Sequence, residues 1–198
     1  MGNMTEFFDD YTRKCNGALF ALDYSALNKA YELISDYQQF PLFVFGNGGS
    51  AAIASHFCAD YNKNIWQDTG MNNRAVSLVD NIPTVTAIAN DSHYSYVFSQ
   101  QIEMYKFDEG VVIAISSSGN SANIINGLAA AKKNKLHTIA LVGFNGGSVL
   151  ENRLADIILH VNCNNYGVVE DIHMMILHAI TQKIRVEMSD LDASALKL

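Results

Sequence analysis

The feature that most narrows the fold of this chain is the run Val111-Val112-Ile113-Ala114-Ile115, which stops abruptly in Ser116-Ser117-Ser118-Gly119-Asn120-Ser121. A charge-free, β-branched run of this length reads as a strand buried on both faces of a parallel sheet. Ser121 suits a helix N-cap, and Asn123 to Lys133 has helical composition and spacing. The serine-rich turn therefore joins the carboxyl end of a strand to the amino end of a helix, where open α/β sheets take their ligands. Backbone N–H groups, the helix dipole and several hydroxyls suit a phosphate there. The Walker spacing is absent and the turn holds no lysine for a nucleotide γ-phosphate. A small phosphorylated metabolite fits better than ATP. The plain alternative is an ordinary Ser/Gly-rich turn.

The same plan occurs earlier. Leu42-Phe43-Val44-Phe45 runs into Gly46-Asn47-Gly48-Gly49-Ser50, and a helix follows over Ala51 to Asn62. One glycine-rich turn is a weak signal; two, both with Asn and Ser after buried strands, can face one phosphosugar from two sides. Three more strands are expected at Ala75–Val79, Thr138–Val142 and Asp156–Val161, with helices over Thr84–Asn90 and Tyr94–Tyr105. Strands alternating with helices imply an α/β chain with a parallel sheet of about five strands and right-handed crossovers. A helical hairpin at about 5–40 precedes the first strand, the α/β core spans about 42–188, and a loose tail covers 189–198. Asn64 to Arg74 reads as a polar surface loop. The last helix, about Val169 to Met188, is apolar nearly all round and so must be buried, which points to an oligomer core. A single domain of 198 residues accounts for all of this.

Composition excludes some partners. The net charge of −7 speaks against a nucleic-acid backbone or an anionic membrane. No apolar run approaches membrane-spanning length, and the opening residues lack a basic, apolar leader. Cys15, Cys58 and Cys163 are an odd number without metal-type spacing, so free thiols in a cytoplasmic protein are expected. A charged fraction of only 17% hints at buried subunit interfaces.

Histidines with carboxylates supply the chemistry. His56 and Asp60 share a face at i and i+4, and Glu170, Asp171, His173 and His178 cluster on the last helix. Such groups can bind a divalent metal, zinc first, or move protons between adjacent sugar carbons. The bland reading makes His56 a core histidine and His173 a surface one. Glu170 and His178 are separated by about 12 Å of helix rise. They meet at one metal only if long side chains converge, if the helix begins after Glu170, or if another subunit takes part.

Gly46-Asn47-Gly48-Gly49-Ser50, His56-Phe57, Asn90-Asp91, Ser116-Ser117-Ser118-Gly119-Asn120-Ser121, Glu170-Asp171-Ile172-His173 and His178 together resemble the sugar isomerase (SIS) domain family, phosphoheptose isomerase branch. The resemblance runs from the N-terminal helices to about Met188. It implies a flavodoxin-like αβα sandwich, a homotetramer with a helical core, and aldose–ketose isomerisation of a phosphorylated sugar through an enediol. The sugar implied is sedoheptulose 7-phosphate or a close relative, for surface-polysaccharide precursors. Ser116, Ser117, Ser118 and Ser121 would hold the phosphate. Asn47, Gly48, Gly49, Ser50, Asn90, Asp91 and Glu170 would line the sugar site. His56, Asp60, Glu170 and His178 match the zinc positions, with Asp60 the carboxylate base and His178 the opposing acid/base. This chain departs from the family by Asp60 for Glu, Glu170 for Gln, Gly167-Val168 for Asp-Arg, and Asn64 for a basic residue. The family also includes non-catalytic modules that bind a phosphosugar or a partner protein, one of them a replication-initiator associate, and isomerases of other sugar phosphates.

Overall fold

The run Val111–Ser116 is buried at every position and forms β3, the centre of a five-stranded sheet. The computed structural model describes residues 2–105 and 107–189; the expected loose tail lies outside the described residues apart from Ser189. Around β3 stand β1 (Leu42–Gly46), β2 (Ala75–Ser77), β4 (His137–Val142) and β5 (Ile157–His160), in the order β2-β1-β3-β4-β5. All neighbours are parallel. Alternate strand residues feed two cores, because successive side chains point to opposite faces. Val44, Ile113, Ile115 and Leu141 enter one; Phe43, Phe45, Val112 and Ala140 enter the other.

The first core is covered by α1 (Met4–Phe20), α2 (Tyr24–Asp36), α3 (Gly49–Thr69) and α8 (Tyr166–Met188). The second is covered by α4 (Ile82–Asp91), a 3-10 turn at Tyr94–Tyr96, α5 (Val97–Tyr105), α6 (Ala122–Lys133) and α7 (Gly147–Glu151). This is the expected αβα sandwich with its N-terminal helical hairpin. The strand order reverses between β1 and β3, and a doubly wound sheet binds its ligand at that reversal. Gly46 pairs with Ile115 across it, so the two polar turns emerge side by side.

Some expectations need correction. The stretch from Asn64 is not all loop: α3 runs on to Thr69 and stops at Gly70, whose φ of 70° gives the left-handed C-cap. Ile65 is fully buried there, and Asp68 accepts a 2.5 Å hydrogen bond from Arg185 of α8. Burial on one face and this pairing outweigh the polar composition, leaving 70–74 as the loop. Helix α8 begins at Tyr166, capped by Asn165, whose side chain accepts from Val168 N–H, so Glu170 lies inside it. Its buried face carries Val169, Ile172, Ile176, Ile180 and Ile184 against α3 and the sheet, whereas Met175 is 48% exposed. The helix is thus half covered within one chain.

β2 is also shorter than expected, ending at Ser77. At this sheet edge Asn62 pairs with Ala75, its amide donating to the Ala75 carbonyl at 2.7 Å and accepting from the Ala75 N–H at 2.9 Å. Among the described residues no helix is long and apolar enough to cross a membrane.

Candidate functional site

Two groups of polar side chains lie on the face made by α3, α8 and the polar turns. The first is a cavity of about 170 Å³ lined by Asn47, Ser50, Ile115, Ser116, Ser117, Ser118, Ser121, Tyr166 and Glu170. The β3 turn builds its floor. Ser116 Oγ accepts from Gly119 N–H at 3.2 Å, and Ser118 Oγ accepts from Asn120 N–H at 3.3 Å. Those two hydroxyls hold the turn. Ser117 Oγ, by contrast, is buried without a partner, and Ser121 occupies the N-cap of α6 without making a cap hydrogen bond. Two hydroxyls are therefore free at a helix N-terminus, where N–H groups and the dipole favour an anion.

Backbone packing fixes the turn. Gly119 sits at φ +62°, and a Cβ there would stand 2.0 Å from Gly146 O, so only glycine fits this crossing of two turns. Asn120 Oδ1 accepts from Ser148 N–H and Oγ at 2.8 and 2.9 Å. On the other side, the β1 turn is pinned by a reciprocal amide pair. Asn47 Nδ2 donates to Asn123 Oδ1 at 2.9 Å and Asn123 Nδ2 donates back at 2.8 Å. Tyr94 Oη also donates to Asn47 Oδ1 at 3.0 Å.

The second group is His56, Asp60 and His178, whose ligand atoms lie within 4.8 Å of one another. Asp60 Oδ2 is 3.2 Å from His56 Nε2 and 3.4 Å from His178 Nε2, and the two histidine Nε2 atoms are 3.0 Å apart. Donors about 2.0–2.1 Å from a tetrahedral zinc stand roughly 3.3 Å from each other. The donor set and its spacing therefore fit such an ion and leave a coordination position open. Asn64, one turn beyond Asp60 on α3, donates to Asp60 Oδ1 at 3.2 Å, which steers the other oxygen toward the histidines.

The structure brings most of the expected residues to these two groups, with exceptions. Glu170 is absent from the His56–Asp60–His178 cluster. Its carboxylate instead overhangs Gly49, where an added Cβ would come within 2.3 Å of Glu170 Oε2, and it forms a wall of the serine cavity. Two turns of α8 keep it from the cluster. Asn90 and Asp91 are exposed at the end of α4, bonded to each other at 2.8 Å, and do not line the cavity. Gly48 and Gly49 form the bend into α3 rather than the cavity wall. His173 is fully buried rather than a surface residue, with both ring nitrogens unpartnered. Burial pushes it down to about 4; the Val142 carbonyl works against this, and His160 nearby adds a smaller lowering. Sequence reasoning missed Tyr166, Asn123 and the role of Asn64; only the fold reveals which face of α8 and α6 meets the turns.

A model of the SIS domain matches residues 6–143. A probable phosphoheptose isomerase of Thermoplasma acidophilum is 40% identical over 143 residues, 72% of this chain and 77% of that one. The phosphoheptose isomerase of Colwellia psychrerythraea is 37% identical, covering 70% of this chain and 71% of that one. Among solved structures, the phosphoheptose isomerase of Neisseria gonorrhoeae superposes with a TM-score of 0.80 at 32% identity, over 92% of this chain and 96% of that one. By its sequence match, its relatives and its architecture, this chain belongs to the SIS domain family, in the phosphoheptose isomerase branch.

Proposed function

We propose that this protein is an aldose–ketose isomerase of a seven-carbon sugar phosphate, sedoheptulose 7-phosphate or a close relative, serving heptose biosynthesis for surface polysaccharides. One observation carries the reading. The serine cavity and the His56–Asp60–His178 cluster lie along the same helix, at Glu170 and His178, about 12 Å apart in rise. In an open-chain heptose phosphate, C2 and phosphorus are separated by roughly 9 Å, from C–C bonds of about 1.5 Å. Side chains reaching inward from both ends close the difference. A three-carbon phosphate falls well short.

Free hydroxyls at Ser117 and Ser121, with the N-terminal N–H groups of α6, bind the phosphate. Asn47, locked by Asn123 and Tyr94, presents its amide to the sugar chain. Asp60 then takes the proton from one carbon and returns it to its neighbour, while His178 gives a proton to the carbonyl oxygen and takes one from the neighbouring hydroxyl, so both groups end as they began. His56, Asp60 and His178 would hold zinc, and a zinc bound there would polarise the carbonyl. Asn64 orients Asp60 for this exchange. The exposed apolar face of α1 and α8, with Phe7, Phe8 and Met175 at 64%, 57% and 48% exposure, supports a homotetramer built on those helices.

One observation favours a second reading. Glu170 sets a negative charge against the phosphate cavity, which suits a non-catalytic phosphosugar or partner-binding module, or a different sugar. An NMR assay with sedoheptulose 7-phosphate, with and without zinc, decides. Appearance of an aldoheptose 7-phosphate is expected; no product from any five- to seven-carbon sugar phosphate overturns the isomerase reading.

A further inference from the structure

The wall of the serine cavity opposite the β3 turn is Tyr166, in the first turn of α8. The ring is 62% exposed, so packing in the core does not hold it. Phe144 does. The Phe144 ring meets Tyr166 edge-on, with centroids 4.7 Å apart and planes at 82°, an arrangement aromatic quadrupoles favour.

Phe144 itself is held against its preference. Its φ is +49°, a region that a bulky side chain rarely enters. Both of its backbone groups are tied. The N–H donates to Cys163 O at 3.2 Å, and the carbonyl accepts from His160 Nε2 at 2.9 Å. Since a carbonyl only accepts, His160 carries its proton on Nε2 here. The preceding Gly143 donates to Ser117 O at 3.0 Å, and a Cβ at Gly143 would come within 2.4 Å of Val169 Cγ1. One turn is thus fastened to the serine turn, to α8 and to β5. A backbone kept in a costly conformation beside a ligand cavity is the kind of outlier from which a functional role is inferred.

We propose that Tyr166 is a specificity-determining residue of this site, its ring forming the wall against the phosphate end of the sugar, with Phe144 and His160 as positioning residues. The proposal rests on the sugar-phosphate reading above. Tyr166 and Glu170, at i and i+4, share one face of α8. The aromatic ring covers the cavity next to the carboxylate and excludes water from the ester.

The test uses the full chain, with calorimetric titration of sedoheptulose 7-phosphate and inorganic phosphate alongside kinetics. Tyr166→Ala is expected to weaken sugar-phosphate binding and raise KM about tenfold while kcat stays within about twofold. Tyr166→Phe keeps the ring and is expected to restore binding. Phe144→Asn removes the supporting ring but tolerates the left-handed backbone, and is expected to weaken binding in the same direction. Tyr166→Ala binding as tightly as the unchanged protein, or Tyr166→Phe as weak as the Ala variant, overturns the proposal. If the unchanged protein binds the sugar phosphate without turning it over, the isomerase reading fails and the binding series still decides Tyr166. If it turns over and Tyr166→Ala leaves KM unchanged, the isomerase reading stands and the proposal falls.

Discussion

Across 122 positions of sequence, His56 and His178 face each other Nε2 to Nε2 at 3.0 Å. Two bare imidazole lone pairs repel at that distance, so either one ring's N–H donates to the other or a cation sits between them, with Asp60 placed to balance the charge of a cation. His178→Ala should abolish this arrangement. Turnover is expected to fall about 10²–10⁴-fold, the range of a lost proton-transfer group, and bound zinc by elemental analysis to fall from one per chain toward none. An unchanged melting temperature would separate this from unfolding, since the His178 side chain is 32% exposed.

The serine turn divides into hydroxyls that build it and hydroxyls left free. Ser117→Ala and Ser121→Ala are expected to raise KM for the sugar phosphate about tenfold each, through one lost charge-assisted hydrogen bond. Ser116→Ala deletes one of the two acceptors of Gly119 N–H, leaving the Ser116 carbonyl, and should cost up to about 1 kcal/mol of stability, seen in denaturant titration. Equal effects of all three variants on KM alone would contradict this division.

Glu170 tests whether the cavity has been retuned. Among the described residues its carboxylate has no ion-pair partner, and it faces the same space as Ser117 and Ser121. Glu170→Gln removes a charge of the same sign as the phosphate. Affinity for sedoheptulose 7-phosphate is expected to rise about tenfold, the order of one like-charge contact near a protein surface. A loss of affinity would mean that Glu170 reads a hydroxyl or helps hold a cation.

His173 gives a pH prediction. Its folded-state value lies near 4, below the ordinary 6.5. Between those values the unfolded chain takes up a proton that the folded chain refuses, so stability falls as pH drops from about 6.5 to about 4. The loss is on the order of 3 kcal/mol. His173→Leu fills nearly the same volume without polar atoms and should flatten that part of the pH–stability curve, measured by urea unfolding at pH 7 and pH 5. A parallel curve for the variant would show that His173 takes up its proton equally in the folded and unfolded chain, and would overturn the lowered value.

The sheet, its two polar turns and the His56–Asp60 pair were legible because each rests on local pattern, whereas His178 was joined to that pair only through the family resemblance. Val111 to Ser116 is apolar at every position, and His56 and Asp60 need only helical spacing to meet. Glu170 was harder. Its residue type suited the metal cluster, but α8 begins a turn earlier than the apolar pattern indicates, and the two-turn rise carries the carboxylate to the phosphate cavity instead. Asn64 reads as loop because its type is polar; what makes it helical is tertiary, the burial of Ile65 and the pairing of Asp68 with Arg185. His173 reads as a surface residue because no periodicity distinguishes a buried imidazole from a wet one. Tyr166 and Phe144 meet only because two chain segments cross beneath the serine turn.

The Asn62 amide that pairs with Ala75 has a consequence for how copies of this chain can associate. In a parallel strand the N–H and C=O of alternate residues point outward, and at β2 those of Ala75 are already taken by a side chain. Asp80 N–H caps the next outward carbonyl, that of Ser77, at 3.5 Å. A stranger's β-strand arriving at this border finds both backbone groups of Ala75 and the carbonyl of Ser77 already engaged. Growth of the sheet from subunit to subunit is opposed on that side by Asn62 and by the Ser77–Asp80 turn, which favours an assembly made there by side chains rather than by backbone. Asn62→Leu would unlatch the border, and the price would be paid in fibrils rather than in catalysis.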